Sequence, residues 1–478
     1  MDLFTSKGES AIRQRLQAYL QVNGVPGASL AVVNTAGQTL QLSEGNADFV
    51  HGVPMTTKTL FAAGSITKTI TALIFLLLED EGLLHLDDPV SAWYPQVEEG
   101  VCYLQDDGAS GETPLLLRHL LSQSSGIPEL GYVVSQLFRV CGVADQGPYA
   151  IEDVEGMFNG ILQAAPLRWQ RPGKQFLYSN ENFVLLARIA EQVTGEQFAT
   201  IVQKRIFAQL GMQQSSIGMN PNMQDLPRIS GSIPGANGPI PVALAIPPGT
   251  AGPGGLLSTI EDMSRYMAFL LGRISLNGRD ISRYAPILWN KVVPKNWVPG
   301  LWYGTGWYIQ DGEFDEPLIY HGGDLLYSGG ICALLPKRGI GIVLGQNSGG
   351  SPALSVLAHE IMRVAIYDNN NIHPNLQTKN KFTPDLINGT YHTQDQVYHL
   401  SAEINNGLLQ LRLHLPGVGD LPPMPFAAVK AGGNRMEFLP AGFPPPQKRS
   451  GCVFLLDPTA NKIWLQYENS LFMKSIDG

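Results

Sequence analysis

Ser65 is the only serine in this chain that is followed by a lysine three residues later, Lys68. The surrounding stretch, from Phe61 to Leu76, is a short loop running into an apolar helical pattern. At this spacing the hydroxyl and the amine share one helix face, beside the free N–H groups and partial positive charge of a helix start. A serine beside an amine with a pKa lowered by burial is a nucleophile with its base. About one such spacing is expected by chance in a chain of this size, so partners must support it.

A serine nucleophile needs a second proton-transfer group and donors for an oxyanion. Tyr178 and Asn180 form a Tyr-x-Asn pattern that follows Pro172-Gly173 and precedes a long amphipathic pattern. The same pattern at Tyr367 and Tyr467 lacks that context. Tyr178 is therefore the candidate, although a lone tyrosine there would more often belong to the core.

Two further segments complete the set of motifs. Leu120 to Pro128 reads Leu-Leu-Ser-Gln-Ser-Ser-Gly-Ile-Pro, and His321-Gly322-Gly323 ends a predicted strand. Taken alone, His321 would be an ordinary strand histidine, and the two glycines could relieve a bulge. The order of the motifs along the chain is far more specific than any one of them.

In this order the motifs resemble those of the serine β-lactamase/penicillin-binding protein superfamily, in its class C β-lactamase-like branch. That branch includes esterases, D-aminopeptidases, transacylases and penicillin-binding-protein-type thioesterases. The resemblance runs from about Gly24 to Tyr367. It implies an α+β fold, in which an antiparallel sheet is flanked by helices and joined by a helical subdomain (the DD-peptidase/β-lactamase fold).

The resemblance also implies roles for the matching residues. Ser65 would form an acyl-enzyme, with Lys68 and Tyr178 sharing the base work, which requires that cationic neighbours lower the pKa of the tyrosine. Asn180 would orient Lys68 and a substrate amide. The further predicted site residues are His321 as a titratable donor, Gly322 and Gly323 as a strand edge for the substrate, and Asp324, whose N–H would hold the oxyanion together with the N–H of Ser65.

Departures from the family pattern bear on the substrate. His321 stands where β-lactamases carry the lysine of Lys-Thr-Gly, which makes β-lactamase activity doubtful and favours esterase or peptidase chemistry. Gln123 replaces a usual histidine and is interpreted as peripheral. The long segments 101–114 and 131–165 are predicted to wall the site. Aromatic residues beside the His-Gly-Gly strand could line an acyl pocket or belong to the core, namely Tyr303, Trp307 and Tyr327.

The elements that must position these residues are predicted from hydrophobic periodicity and turn signals. Helices are predicted over 10–23, after Ser65, and over 115–121, 178–195 and 351–367. Strands are predicted over 28–33, 39–43, 303–310, 318–321, 330–335 and 339–345, and 231–255 is predicted to be a Gly- and Pro-rich loop.

A change of pattern divides the chain into two predicted domains, 1–372 and 386–478. The Asn-rich stretch after Tyr367 is typical of a linker. Beyond it, short strands such as the alternating stretch from Leu408 to Leu415 recur as in a small β-barrel. By its placement this part resembles the lipocalin-like barrel of several D-aminopeptidases, acting as a packing domain or as a lid over the site.

Composition excludes several classes of function. The net charge of -9 argues against a nucleic-acid partner, and the apolar run from Ile70 to Leu78 is too short to span a membrane. The polar N-terminus lacks the features of a signal peptide, and the four cysteines are scattered, so a cytoplasmic protein with reduced thiols is expected. No His or Cys spacing indicates a metal site, and no cofactor is expected.

The sequence therefore predicts a serine acyl-enzyme hydrolase that cleaves a small ester, or an amide or short peptide, with D-residue substrates among the candidates. Two alternatives remain open. The acyl group could pass to an amine or alcohol, as in a transacylase, a peptide cyclase or a biosynthetic thioesterase. The protein could also be a non-catalytic sensor of the penicillin-binding type. The oligomeric state is not predicted.

Overall fold

Helices and strands alternate through the first part of the chain, and strands dominate the last. The computed structural model describes residues 4–104, 113–130, 135–136, 139, 150–233, 238–295, 300–311, 314–349, 352–367, 384–393, 399–405, 408–415, 419–420, 424–432, 435–440, 452–457, 462–467 and 470–475. The α-helices are α1 (Ser6–Asn23), α2 (Thr67–Asp80), α3 (Leu117–Leu121), α4 (Val154–Ala164), α5 (Glu181–Thr194), α6 (Phe198–Val202), α7 (Ala208–Leu210), α8 (Ala251–Gly254), α9 (Ile260–Leu270), α10 (Ala285–Leu288), α11 (Pro352–Tyr367) and α12 (Pro384–Ile387).

The strands up to α11 are β1 (Gly27–Asn34), β2 (Thr39–Asp48), β3 (Val53–Pro54), β4 (Phe61–Ala62), β5 (Cys102–Tyr103), β6 (Leu167–Arg168), β7 (Ser216–Ile217), β8 (Gly231–Ile233), β9 (Ile240–Val242), β10 (Leu256–Ser258), β11 (Val293–Pro294), β12 (Leu301–Tyr303), β13 (Tyr308–Gln310), β14 (Leu318–Asp324), β15 (Gly329–Leu335) and β16 (Ile340–Gln346). Those after it are β17 (Gly389–Thr393), β18 (His399–Asn405), β19 (Leu408–Leu415), β20 (Gly419–Asp420), β21 (Met424–Gly432), β22 (Arg435–Pro440), β23 (Cys452–Asp457), β24 (Lys462–Tyr467) and β25 (Ser470–Ser475).

The main sheet is antiparallel and has the order β11-β12-β13-β14-β15-β16-β1-β2-β3. The predicted pairing of the first two strands is confirmed, with Leu30 opposite Leu42. The single strand predicted over 303–310 is wrong, because the chain reverses between β12 and β13. There the N–H of Gly304 bonds the carbonyl oxygen of Trp307 at 2.8 Å. Gly304 and Gly306 make the turn possible, whereas aromatic periodicity alone predicts one continuous strand.

Helices cover both faces of this sheet. Successive side chains of a strand point to opposite faces, so Leu30 and Val32 of β1 belong to a buried cluster with Leu16 of α1 and Ile361 of α11. Ala31 and Val33, which alternate with them, belong to a larger cluster that also contains residues of α2, α5 and α9. The predicted antiparallel sheet flanked by helices is confirmed.

Helix α2 lies inside the larger cluster, where Ile70, Phe75 and their neighbours on every face are fully buried. A helix that is apolar all round must be buried all round. Its threonines satisfy their hydroxyls locally: Thr67 donates to the carbonyl oxygen of Gly64 at 2.6 Å, and Thr71 donates to that of Gly252 at 2.8 Å. The first bond ties the start of the helix to the loop that carries Ser65, and the second ties the helix to α8.

The helix predicted over 178–195 begins later, at Glu181, and ends where predicted, because Gly195 adopts a left-handed conformation with φ of 70°. The loop predicted over 231–255 is wrong in part. Within it, β8 pairs with β9, Ser232 lying opposite Pro241, and α8 follows. Each strand of this two-stranded sheet is an edge strand, and an edge strand tolerates a proline such as Pro241. Much of the predicted wall lies outside the described residues, namely 105–112, 131–134, 137–138 and 140–149.

The C-terminal strands pair in the order β18-β17-β25-β24-β23-β22-β21-β19-β20, and β18 also pairs with β19. The alternation predicted for Leu408 to Leu415 is confirmed as β19, where Leu409 and Leu411 are fully buried. The likeness to a lipocalin stays a prediction, and so do the domain boundaries, since residues 368–383 lie outside the described part. Among the described helices, none is both long enough and apolar enough to cross a membrane.

Candidate active site

Ser65 lies in the turn between β4 and α2, partly exposed, while Lys68 is fully buried in the first turn of that helix. The distance from the Lys68 Nζ to the Ser65 Oγ is 2.9 Å. Gly64, just before the serine, has a φ of 53°, in the left-handed region that favours glycine. This conformation turns the chain from β4 into α2 and leaves the Ser65 hydroxyl at the helix start.

The Lys68 amine has three hydrogen-bond partners. Besides Ser65 Oγ, they are the side-chain oxygen of Asn180 at 2.7 Å and the carbonyl oxygen of Pro253, in α8, at 2.9 Å. Burial lowers the pKa of Lys68 to about 7, while the negative charges of Glu129 and Glu181 act in the opposite direction. The neutral amine is therefore well populated near neutral pH.

The donors and acceptors around the neutral amine determine where its lone pair points. A neutral amine has two N–H donors and one lone pair. The oxygen of the Asn180 amide and the carbonyl oxygen of Pro253 can only accept, so they take the two N–H groups. The lone pair is then left for the third partner, the hydroxyl of Ser65. This arrangement has the geometry of a general base 2.9 Å from its nucleophile.

Tyr178 lies on the other side of the nucleophile, and its hydroxyl donates to the Ser65 Oγ at 2.9 Å. Burial raises the pKa of Tyr178, and the charge of Glu129 raises it further, against the hydrogen bond with Ser65. The predicted lowering of this pKa by cationic neighbours is wrong, although the Lys68 Nζ is 4.9 Å from the ring centre. The phenol keeps its proton near neutral pH, so in this state Tyr178 can donate a proton but is not placed to accept one.

Two carboxylates that the sequence analysis missed lie behind Asn180. Both oxygens of Glu129 accept from the Asn180 side-chain N–H groups, at 3.2 and 3.1 Å, and one also accepts from its backbone N–H at 2.9 Å. Burial raises the pKa of Glu181 to about 8, and repulsion by the charge of Glu129 is the second cause. The only sequence signal was position, since each glutamate directly follows a motif residue, Pro128 or Asn180.

Gln123 is central and not peripheral as predicted. It is fully buried with a φ of 55°, which is uncommon for a residue other than glycine. Its side-chain oxygen accepts from the backbone N–H of Ser179 at 3.0 Å and from the side chain of Asn182 at 2.7 Å. Gln123 thus fixes the segment that carries Tyr178 and Asn180.

His321 lies in β14 and is 1% exposed. Its Nδ1 is 2.6 Å from the carbonyl oxygen of Gly322, so this nitrogen carries the proton, and its Nε2 is 3.1 Å from the hydroxyl of Tyr303. Burial lowers the pKa of His321 to about 3, and the charge of Lys68 adds to this effect. The prediction of a titratable donor is therefore wrong, because the ring is neutral at physiological pH.

The predicted oxyanion donors, the N–H groups of Ser65 and Asp324, lie at a close backbone contact between the Ser65 loop and β14. A β-carbon on Gly64 would lie 2.6 Å from the nitrogen of Asp324, and one on Gly323 would lie 2.7 Å from the nitrogen of Ser65. A β-carbon on Gly323 would also overlap the carbonyl oxygen of Ala63. Only glycine allows this approach, which brings the two nitrogens to one junction.

Of the two interpretations left open for the aromatic residues beside the His-Gly-Gly strand, acyl pocket or core, their burial favours the core. Tyr303 and Trp307 have no exposed surface, and Tyr327 has 2%. Tyr303 packs at the side of His321, with ring centres 6.0 Å apart, and Phe176 packs against it at 5.4 Å. These rings pack around His321 and expose little surface of their own to a ligand. Within the described residues, no group of three or more His, Cys, Asp or Glu side chains could hold a metal ion.

Comparison with known proteins agrees with this geometry. A family model described as β-lactamase matches residues 12–366, which is more than half of the chain. The chain belongs to the β-lactamase family. The membership predicted from the motif order, in the serine β-lactamase/penicillin-binding protein superfamily, is confirmed. Proteins of this superfamily are serine hydrolases and acyltransferases.

Similar proteins within the family share limited identity. Protein flp of Staphylococcus aureus (strain MRSA252) is 24% identical over 343 residues, which cover 72% of this chain and 64% of that protein. Penicillin-binding protein 4* of Bacillus subtilis (strain 168) is 29% identical over 176 residues, covering 37% of this chain and 34% of that protein. The chain thus matches less than two thirds of the length of these relatives.

Two solved structures of β-lactamase-like proteins share the fold. The octameric penicillin-binding protein homologue from Pyrococcus abyssi superposes with a TM-score of 0.69 at 24% identity, over 98% of this chain and all of that one. A class C β-lactamase superposes with a TM-score of 0.60 at 19% identity, over 76% of this chain and 98% of that one.

The junction between Gly323 and the Ser65 loop gives a first prediction. Gly323→Ala should reduce the rate of acylation of Ser65 by a fluorophosphonate by about 10²–10³-fold, because the new methyl group forces the oxyanion donors apart. It should also lower the melting temperature, measured by calorimetry. In the matched variant Gly322→Ala, the β-carbon would come no closer than 3.8 Å to the carbonyl oxygen of Gly330, so its melting temperature should stay that of the wild type. Equal melting temperatures and labelling rates for the two variants would contradict this account.

Proposed function

We propose that this protein is a serine hydrolase that cleaves a small ester, or an amide or short peptide, through an acyl-enzyme on Ser65. One observation carries the proposal: Ser65 Oγ lies 2.9 Å from both a buried amine and a phenol. The amine of Lys68 has its N–H groups engaged by Asn180 and Pro253 and its lone pair directed at the serine. Family membership supports the same class of chemistry.

The proposed reaction has two halves. The neutral amine of Lys68 takes the proton of Ser65 as the oxygen attacks the acyl carbon, and the N–H groups of Ser65 and Asp324 stabilise the oxyanion. Tyr178 gives its proton to the leaving group as the bond between that group and the acyl carbon breaks. The proton that Lys68 took from Ser65 then passes to the Tyr178 oxygen, which returns both side chains to their starting states. Water then attacks the acyl carbon of the Ser65 ester and loses a proton to Lys68, and Lys68 gives a proton to the Ser65 oxygen as the ester bond breaks, which releases the acid and restores the enzyme.

The proposed substrate is an ester or peptide and not a β-lactam. At the position of the lysine of Lys-Thr-Gly, this chain has His321, which is buried and neutral and so offers no cation to a substrate carboxylate. Gly322 and Gly323 give β14 an edge without side chains, along which an extended acyl or peptide group could lie. A D-residue next to the scissile bond stays part of the proposal.

The remaining expectations from the sequence are proposals of the same kind. We propose a catalytic domain over 1–372 and a lipocalin-like domain over 386–478. In support of a separate C-terminal core, Leu400 and Leu465 in the C-terminal strands are fully buried but belong to neither of the two clusters that pack against the main sheet. A cytoplasmic location with reduced cysteines, and a small molecule or short peptide as the partner in place of nucleic acid, complete the proposal. Cys102 and Cys332 are free thiols.

A covalent adduct tests the nucleophile. Treatment with a fluorophosphonate should add one adduct mass, located at Ser65 by peptide mass spectrometry, and Ser65→Ala should abolish it. Ser124→Ala is a matched control, because this buried serine of the second motif bonds Ser122 at 2.8 Å and lies outside the proposed chemistry. An unlabelled wild type, or labelling that persists in Ser65→Ala, would contradict the hydrolase proposal and favour a non-catalytic sensor.

A substrate panel tests the specificity. Turnover of p-nitrophenyl esters or of D-aminoacyl amides should exceed that of nitrocefin by at least about a hundredfold in kcat/KM, because the neutral ring of His321 offers no positive charge to the β-lactam carboxylate. Added amines or alcohols should be included, since acyl products in place of the free acid would indicate a transacylase. Nitrocefin as the best substrate would contradict the role given to His321.

The pH dependence tests the base. The pKa of Lys68 is lowered to about 7, so the neutral form is lost below that pH. We expect kcat/KM to fall about tenfold per unit below an apparent pKa near 7. Glu181 titrates in a similar range, and Glu181→Gln should keep this acidic limb. A flat profile from pH 5 to 9, or loss of the limb in Glu181→Gln, would exclude Lys68 as the titrating base.

A further inference from the structure

The side-chain amide of Asn180 could in principle face Lys68 with either of its ends. Its oxygen must face the amine for the base to work. If its NH₂ group faced Lys68 instead, it would donate to the lone pair of the neutral amine and turn that lone pair away from Ser65. The orientation of one amide therefore decides whether Lys68 can act as the base of the proposed reaction.

Glu129 faces the opposite end of this amide. An ionised carboxylate only accepts hydrogen bonds, and both oxygens of Glu129 lie within 3.2 Å of the Asn180 Nδ2. The same carboxylate accepts from the backbone N–H of Asn180 at 2.9 Å, so it holds the residue at two points. With Glu129 in place, only the NH₂ end can face it, and the oxygen end must face Lys68, 2.7 Å away.

The position of Glu129 is itself built into the site. It follows Pro128, whose carbonyl oxygen lies 3.4 Å from the hydroxyl of Ser179. The next residue, Leu130, donates its N–H to a carboxyl oxygen of Glu181 at 2.9 Å, and the other oxygen of Glu181 accepts from Ser179 at 2.9 Å. These bonds join the loop that carries Glu129 to the start of α5.

We infer that Glu129 is a positioning residue that fixes the orientation of the Asn180 amide and so directs the lone pair of Lys68 at Ser65. The chain of contacts runs from carboxylate to amide to amine to hydroxyl. Glu129 takes no part in the bond changes and does not touch the reacting atoms. The inference rests on the proposed function only in its kinetic consequence, since the orientation of the amide can be measured without turnover.

Paired substitutions test this inference by reversing the polarity of the contact. In Glu129→Gln, an amide NH₂ can face the NH₂ of Asn180, and we expect kcat on an ester to fall about 10- to 100-fold with KM changed less than about threefold. In Asn180→Asp, two carboxylates face each other and a similar loss is expected. In the double variant, the new amide at position 129 donates its NH₂ to the new carboxylate at position 180, whose second oxygen still accepts from Lys68.

The double variant should therefore recover much of the kcat that each single variant loses. Its acidic limb should move to higher pH, because the negative charge now lies next to Lys68, whereas in Glu129→Gln alone that limb should move to lower pH. Glu155→Gln removes an exposed carboxylate that pairs with Arg188 and serves as the control for a Glu-to-Gln change. Circular dichroism and melting temperatures should confirm that all four variants fold.

A second measurement does not need activity. In protein labelled with [¹⁵N]asparagine, the side-chain NH₂ of Asn180 should exchange at least about tenfold faster with solvent in Glu129→Gln than in the wild type. If exchange is faster in Glu129→Gln but Ser65 cannot be acylated in the wild type, the positioning role of Glu129 is upheld and the hydrolase proposal is contradicted. If the wild type is active but Glu129→Gln changes neither the exchange rate nor kcat, the inference is overturned. It is also overturned if the losses of kcat in the two single variants simply add in the double variant.

Discussion

Burial of the Lys68 amine is the constraint on which the rest of the site depends. A charged ammonium loses much of its hydration in the interior, which favours the neutral form and requires an acceptor for every N–H. Those acceptors come from parts of the chain far apart in sequence, Asn180 before α5 and Pro253 in α8. Helix α2 therefore cannot shift without leaving the amine unsatisfied, and the packing of the helices and the chemistry of the serine depend on the same contacts.

The sheet meets this helical part through backbone rather than through side chains. Gly323 of β14 and Gly64 before α2 approach so closely that neither could carry a β-carbon. This contact sets the spacing between Ser65 and the strand, while buried rings pack around His321 of the same strand. A site made at such a junction needs both layers in place, which explains why Ser65, Tyr178 and His321 lie more than a hundred residues apart in the sequence.

The sequence predicts which residues form the site better than it predicts their protonation states and conformations. Ser65, Lys68, Tyr178 and Asn180 are found because their spacing and their place at helix starts leave a pattern, and periodicity gives most helices and strands of the main sheet. Glu129 leaves no such pattern, since one carboxylate after a proline is common on any surface. The left-handed Gln123 and the split between β12 and β13 depend on tertiary contacts, which no local pattern encodes.

The lowering of the Lys68 pKa by burial is predicted from the sequence, whereas the raising of the Tyr178 pKa is not, because that shift too depends on burial more than on neighbouring charge. The same loss of hydration acts in opposite senses on the two groups that flank Ser65. It lowers the pKa of Lys68, whose charged form is the protonated one, and raises that of Tyr178, whose charged form is the deprotonated one. Near neutral pH this leaves an amine able to accept a proton and a phenol able to give one. Acid and base are thus assigned by one dry environment acting on two chemical types, and a shared cation is not needed to ionise the tyrosine.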